Sequence, residues 1–193
     1  MESKIPLIAL EIIKQLGQEL PKDLYYHSKH HTEDVIKECL IFAKHDALNQ
    51  RETDLLIIAA AFHDSGFLLC HEDNEDIGAE KAALAMRTDG TFSEKEIQEV
   101  SNCILSTKLN DDLSRNALTN LSKYLLDADL GSLGREDMLE KTEQLAKEAN
   151  QDLKTLLPRT IILMETHQWL TPAAKKLRQS GKEKNLKKIK GML

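Results

Sequence analysis

An all-α fold is expected for this chain, on three observations. Its apolar residues, 41% of the total, gather into blocks of helical length whose spacing follows the 3.6-residue helical period. Strand-like alternation never runs beyond a few residues. The 4 prolines and 8 glycines are few for 193 residues, which favours packed helices over loops. Without a Pro-, Gly- or Ser-rich divide, an internal repeat or a low-complexity tract, residues 1–193 read as a single domain with its own core.

The expected helices cover about 5–20, 29–48, 52–65, 75–88, 93–107, 114–130, 135–152 and 155–170, followed by a basic helical tail. The first, IPLIALEIIKQL at its centre, is apolar but carries Glu11 and Lys14. In the second, Val35, Cys39 and Phe42, flanked by Ile36, Leu40 and Ala43, have the spacing of one buried face. The third holds Leu55-Leu56-Ile57-Ile58-Ala59-Ala60-Ala61-Phe62, a run apolar on every side and therefore buried on every side. Glu75 opens the fourth, where a carboxylate suits a helix N-terminus. The fifth has the best-marked start: Ser93 with Glu96 three residues on satisfies two orphan amides before the stripe of Ile97, Val100 and Ile104 begins. In the sixth, Leu121, Tyr124, Leu125 and Ala128 form a stripe that Gly131 and Gly134 bring to a break. Pro158 must start the eighth helix or kink it.

Composition limits the function classes. No basic leader or small-residue cleavage site precedes the first apolar block, which is also far short of the roughly 20 residues a membrane span needs. Three widely spaced cysteines, Cys39, Cys70 and Cys103, form no CxxC pair and indicate neither a disulfide framework nor a thiolate zinc site. A cytoplasmic protein without membrane association is expected. The formal charge of −6 is uneven: eight of the 26 basic residues and one of the 32 acidic ones lie in 175–190, leaving 18 against 31 elsewhere, a net −13. Leu177, Leu186 and Ile189 among those lysines suggest a helix docked by its apolar side, so a solvated basic face accounts for the tail without a specific nucleic-acid partner. Trp169 and Tyr25 read as packing residues and Cys70 as a buried small hydrophobe.

The residues that carry chemistry are polar side chains aimed at the core. His63 and Asp64 close the most apolar run of the chain, where an uncompensated carboxylate costs several kcal/mol or changes its protonation. His31 stands four residues before Val35, on the same buried face. His27 has the i, i+4 spacing that lets two imidazoles share a metal, but it precedes the helix, and His30 faces away. Asp129 falls four residues after Leu125 at the edge of its stripe, whereas Asp127 points elsewhere. Taken singly, His31 reads as a hydrogen-bonded core residue, and Asp129 reads equally as a ligand or as a helix-end carboxylate on the amides of the 131–134 turn. Together His31, His63, Asp64 and Asp129 are nitrogen and oxygen ligands from three helices. That set suits one divalent ion of manganese, iron, cobalt, nickel, zinc or magnesium.

Those residues and their flanks resemble a known family. Tyr26-His27 ahead of His31-Thr32 and Val35, then Phe62-His63-Asp64-Ser65-Gly66-Phe67-Leu68, then Leu126-Asp127-Ala128-Asp129-Leu130 leading to Leu133-Gly134-Arg135, are similar to the HD-domain metal-dependent phosphohydrolases. The resemblance runs from about 24 to 150. Thr171, Ala174, Leu177, Arg178 and Lys184-Asn185-Leu186 look like the closing helix of a single-domain bacterial branch. It implies a helical bundle, one metal ion on His31, His63, Asp64 and Asp129, and hydrolysis of a small phosphate ester, often a nucleotide. Asn74-Glu75 departs from the His-Glu common in that branch, placing an amide where a further ligand would stand, with His71 three residues away. His71 is the only histidine between Asp64 and Asp129, which favours one metal over two.

On this reading the ion polarises a phosphoryl oxygen and acidifies water, Asp64 helps orient or deprotonate that water, and Glu75 is a second, weaker acid/base candidate. Lys29, Lys108 and Arg135 are the basic residues near the motifs that a substrate phosphate would use. Three other readings stand: a nucleotide-binding sensor without turnover, a di-iron oxygenase, which needs more histidines, and a helical scaffold with no metal. Monomer and homodimer both fit the sequence.

Overall fold

A computed structural model describes residues 5–108 and 118–192. Nine α-helices and two 3-10 turns account for the regular structure among these residues, with no strand, so the all-α expectation holds. In chain order they are α1 (Leu7–Glu19), α2 (Lys29–His45), α3 (Gln50–Phe62), a 3-10 turn (Ser65–Leu68), α4 (Asn74–Asp89), α5 (Glu94–Leu105), α6 (Asn120–Asp129), a second turn (Gly131–Gly134), α7 (Met138–Glu148), α8 (Leu153–Thr166) and α9 (Pro172–Lys190). No described helix is long and apolar enough to cross a membrane.

The apolar run of α3 lies at the centre, with Leu55 through Phe62 all buried. Helices α1, α2, α4, α5 and α6 pack around it. Burying one Leu, Ile or Phe stabilises the fold by roughly 1.5–3 kcal/mol, so this one helix anchors the core. Truncating Leu56, fully buried, to alanine would cost about 2–5 kcal/mol. All three cysteines are free thiols; Cys39 and Cys103 are buried.

Local chemistry sets the helix ends. Both Ser93 with Glu96 and Asn49 with Glu52 form capping boxes. The second starts α3 two residues earlier than expected. α2 stops at His45 rather than 48 because Ala47 takes a positive φ of 56°, a conformation that an L-residue cannot propagate as a helix. Asn150, at φ 53°, follows α7, which occupies only 138–148 of the expected 135–152. The expected start of α6 at 114 lies outside the described residues; the helix begins at Asn120, capped by Thr119. Pro158 neither starts nor ends α8, since Asp152 caps it six residues earlier. The ring is exposed, so the carbonyl left without its i+4 partner can be hydrated.

The basic tail is part of the fold. Thr171 caps α9, Ala173, Ala174 and Ile189 are buried, and Leu186 packs on the core. Leu177 departs from the expected docked stripe and is 38% exposed. The closest approach is between backbones: a Cβ on Gly181 would lie 2.0 Å from the Gly134 carbonyl oxygen, so only glycine lets α9 rest on the turn after Asp129. Asn185 Nδ2 donates to the carbonyls of Leu133 and Arg135 and closes the same junction. Two minor expectations fail. Tyr25 is exposed with the Lys147 ammonium 3.7 Å above its ring, and Cys70 is only half-buried.

Candidate metal centre

Three elements deliver the four expected residues to one place. His31 projects from the buried face of α2, His63 closes α3, Asp64 follows in the turn that leaves it, and Asp129 is the last residue of α6. The Nε2 atoms of His31 and His63 lie 3.3 Å apart. Asp129 Oδ1 is 3.0 Å from the first and 3.7 Å from the second. Asp64 Oδ2 is 3.4 and 3.2 Å from the same two nitrogens. His31, His63 and Asp129 each offer a ligand atom within 4.8 Å of the other two. Asp64 borders that trio without belonging to it.

Hydrogen bonds around the cluster fix its orientation. His63 Nδ1 lies 2.8 Å from the carbonyl oxygen of Ala60, a contact that requires Nδ1 to carry a proton and turns Nε2 toward the other three residues, where it holds a second proton or gives its lone pair to a cation. Asn74 Nδ2 donates to Asp64 Oδ1 at 3.2 Å and to the His63 carbonyl at 3.3 Å, while its own Oδ1 accepts from the Phe67 amide. One amide thus clamps both sides of the His-Asp turn. Gly66 permits this, since a Cβ there would sit 2.1 Å from the Asn74 carbonyl oxygen. Asp64 Oδ2 is buried and has no hydrogen-bond partner among the described residues.

The electrostatics follow from two carboxylates facing two imidazoles. Burial opposes a charged His63, but Asp64 and Asp129 outweigh it and push its pKa well above the ordinary value. Burial likewise opposes ionisation of Asp64, yet His63 holds its carboxyl down at about 2; His31 and His63 hold Asp129 below the usual carboxylate range. Such a centre attracts positive charge, which protons or a cation can supply. Two imidazole nitrogens with one or two carboxylate oxygens are a donor set that zinc, manganese, iron, cobalt and nickel accept.

The remaining candidates separate. His27 precedes α2, as expected, and binds Glu148 instead: its Nδ1 pairs with Oε1, while the amides of Tyr26 and His27 donate to Oε2 at 2.8 and 3.0 Å. His30 is exposed. Asp127 turns away and accepts from the Leu170 and Thr171 amides and the Thr171 hydroxyl. Asn74 acts through Asp64, whereas exposed His71 makes a ring contact with Phe67, 4.7 Å between centroids. Glu75 lies half-buried in the first turn of α4 and is not among the cluster's contacts. Lys29 pairs with Glu33 and Lys108 with Asp76. Arg135 binds Asp137 at 2.8 Å and reaches Glu38 and Asp34 at 3.3 and 3.4 Å.

The roles of several neighbours were not read from sequence. Tyr26 lies against His31 with ring centroids 4.6 Å apart; burial, then Asp129 and Asp64, raise its phenol and keep it protonated. Glu38, buried on α2, takes a bidentate Arg178 at 2.8 and 2.9 Å as well as Arg135. Its spacing from His31, seven residues along one helix face, was the available signal. No protein-family model matches the chain, and a search of curated proteins finds no significant match.

Proposed function

We propose that this protein is a metal-dependent phosphohydrolase of the HD-domain type, cleaving a phosphoester of a small molecule such as a nucleotide. The observation that carries the reading is the convergence of the His31 and His63 Nε2 atoms with Asp129 Oδ1 and Asp64 Oδ2 at separations of 3.0 to 3.7 Å, in a buried corner. One divalent ion on that set would supply polarisation of a phosphoryl oxygen and acidification of water. His63 contributes a nitrogen whose tautomer its Ala60 contact fixes. Asp64, ionised at neutral pH and clamped by Asn74, keeps Oδ2 as an acceptor that can orient a water for attack. Lys29, Lys108 and Arg135 are each neutralised by carboxylates, so a substrate phosphate must draw its compensation chiefly from the ion. Glu75 stays a proposal as a second acid/base, supported only by its place near Asn74.

The test is release of phosphate or pyrophosphate by metal-reconstituted protein from a panel of nucleotides and phosphomonoesters, with Asp64→Asn alongside. Turnover in the wild type, lost in Asp64→Asn even at metal concentrations that load the remaining His31, His63 and Asp129, is expected. No release from any compound, with an authentic hydrolase active in the same assay, removes the proposal. Tight nucleotide binding without turnover would instead select a nucleotide-binding sensor.

A further inference from the structure

A second concavity, sharing no lining residue with the metal centre, lies between the end of α8 and the middle of α9. This cleft of about 640 Å³ falls in the range of small-molecule sites. Lys175, Gln179, Lys182 and Leu186, at i, i+4, i+7 and i+11 of α9, form one wall; Met164 and Trp169 stand among the residues opposite.

Lys182 is the residue that asks for a ligand. It is only 6% exposed, and a buried ammonium is costly unless paired. Its contacts are the His167 carbonyl at 2.7 Å, His167 Nδ1 at 3.5 Å and, more distantly, the Trp169 ring, whose centroid is 5.8 Å away. The first caps the C-terminus of α8, a favourable place for a cation, but among the described residues no carboxylate pairs with it. An ammonium has three donors, so one remains beyond the two on His167. Trp169, in the same cleft, also has an indole N–H that is covered from solvent and has no acceptor among the described residues. The two acids on the rim are engaged elsewhere, Glu165 by Lys190 and Glu183 by the Gln179 amide.

We propose that this cleft binds a small organic anion, its carboxylate or phosphate on Lys182 and its apolar or aromatic body against Trp169, Met164 and Leu186. Burial lowers the lysine's pKa, and an anion would restore it.

Trp169 is the only tryptophan of the chain, so its fluorescence reports on the cleft directly. Full-length protein is titrated with benzoate, phenyl phosphate and inorganic phosphate, and with benzylamine and benzyl alcohol as cationic and neutral matches. Saturable responses to benzoate or phenyl phosphate, absent with benzylamine and benzyl alcohol, are expected; whichever binds tighter identifies the anionic group. Lys182→Met should weaken binding about tenfold or more, and Gln179→Phe, which fills the cleft and leaves Lys182 itself in place, should abolish it even if Lys182→Met unfolds. His63→Ala should leave the response intact. No saturable response to any anion, equal responses from benzyl alcohol, or undiminished binding in Gln179→Phe would overturn the proposal.

Discussion

Helix α2 carries two polar clusters on one stripe, and they are built by opposite rules. At its start His31 faces His63, Asp64 and Asp129, where the carboxylates meet imidazoles and the Asn74 amide but no permanent cation, and Asp64 Oδ2 has no hydrogen bond among the described residues. One to two turns on, Asp34 and Glu38 join Asp137 against Arg135, Arg178 and Lys141. There three carboxylates meet three permanent cations, and Glu38, though only 2% exposed, accepts from two arginines. The second cluster is complete in itself and fastens α9 to α2. The first holds no permanent cation, and its imidazole nitrogens are already turned toward the carboxylates. On the proposed reading, charge completeness, rather than burial or polarity, separates a structural cluster from a ligand site.

Substitutions should divide along the same line. The largest effect is expected in the first cluster: His63→Ala or Asp129→Ala abolishes stoichiometric divalent metal, read by elemental analysis of folded protein. In the second, Glu38→Ala strands Arg178 and takes one of three carboxylates from Arg135, and should cost about 3–5 kcal/mol of stability, seen as a lower urea midpoint, while metal stoichiometry is kept. Loss of metal in Glu38→Ala at full stability would erase the distinction. Asn74→Ala sharpens it: an outer-shell clamp on a ligand is worth about 10–100-fold in metal affinity, and unchanged affinity by competition with a chelator would remove Asn74 from the site.

The smallest effect lies far from both clusters. Arg51 and the Ser93 amide hold Glu96 down at about 2. A depressed carboxylate contributes stability present above its ordinary value of 4.5 and lost as pH falls toward 2. Urea midpoints of wild type and Glu96→Gln should therefore differ at pH 6 and converge by about pH 2, and the difference should be small, because the pair is solvent-screened. A gap that does not narrow on acidification would show that Glu96 acts through packing alone.

Which features were legible in the sequence depends on the range of the interaction behind them. The capping box of Ser93 and Glu96 is local and was readable; that of Asn49 and Glu52 has the same chemistry but was overlooked behind the apolar run it introduces. Ala47 could not be foreseen as a helix stop, because nothing in an alanine signals a positive φ. His31, His63, Asp64 and Asp129 could be singled out because each ends or lines an apolar stripe, and a core-facing polar residue is anomalous on its own helix. Glu148 gave no such signal, Glu38 only its seven-residue spacing from His31, and Asn74 only its place where the resemblance expects a histidine. Their partners His27, Arg178 and Asp64 lie 121, 140 and 10 residues away, and only the fold brings them together.

The central claim is tested most directly by equilibrium dialysis of wild type, Glu38→Gln and Asp129→Asn against manganese or zinc, followed by elemental analysis. One equivalent of ion in the first two proteins and none in the third is the predicted result. No ion in the wild type, or an equal amount in Asp129→Asn, would show that the incomplete cluster on α2 is not a metal centre.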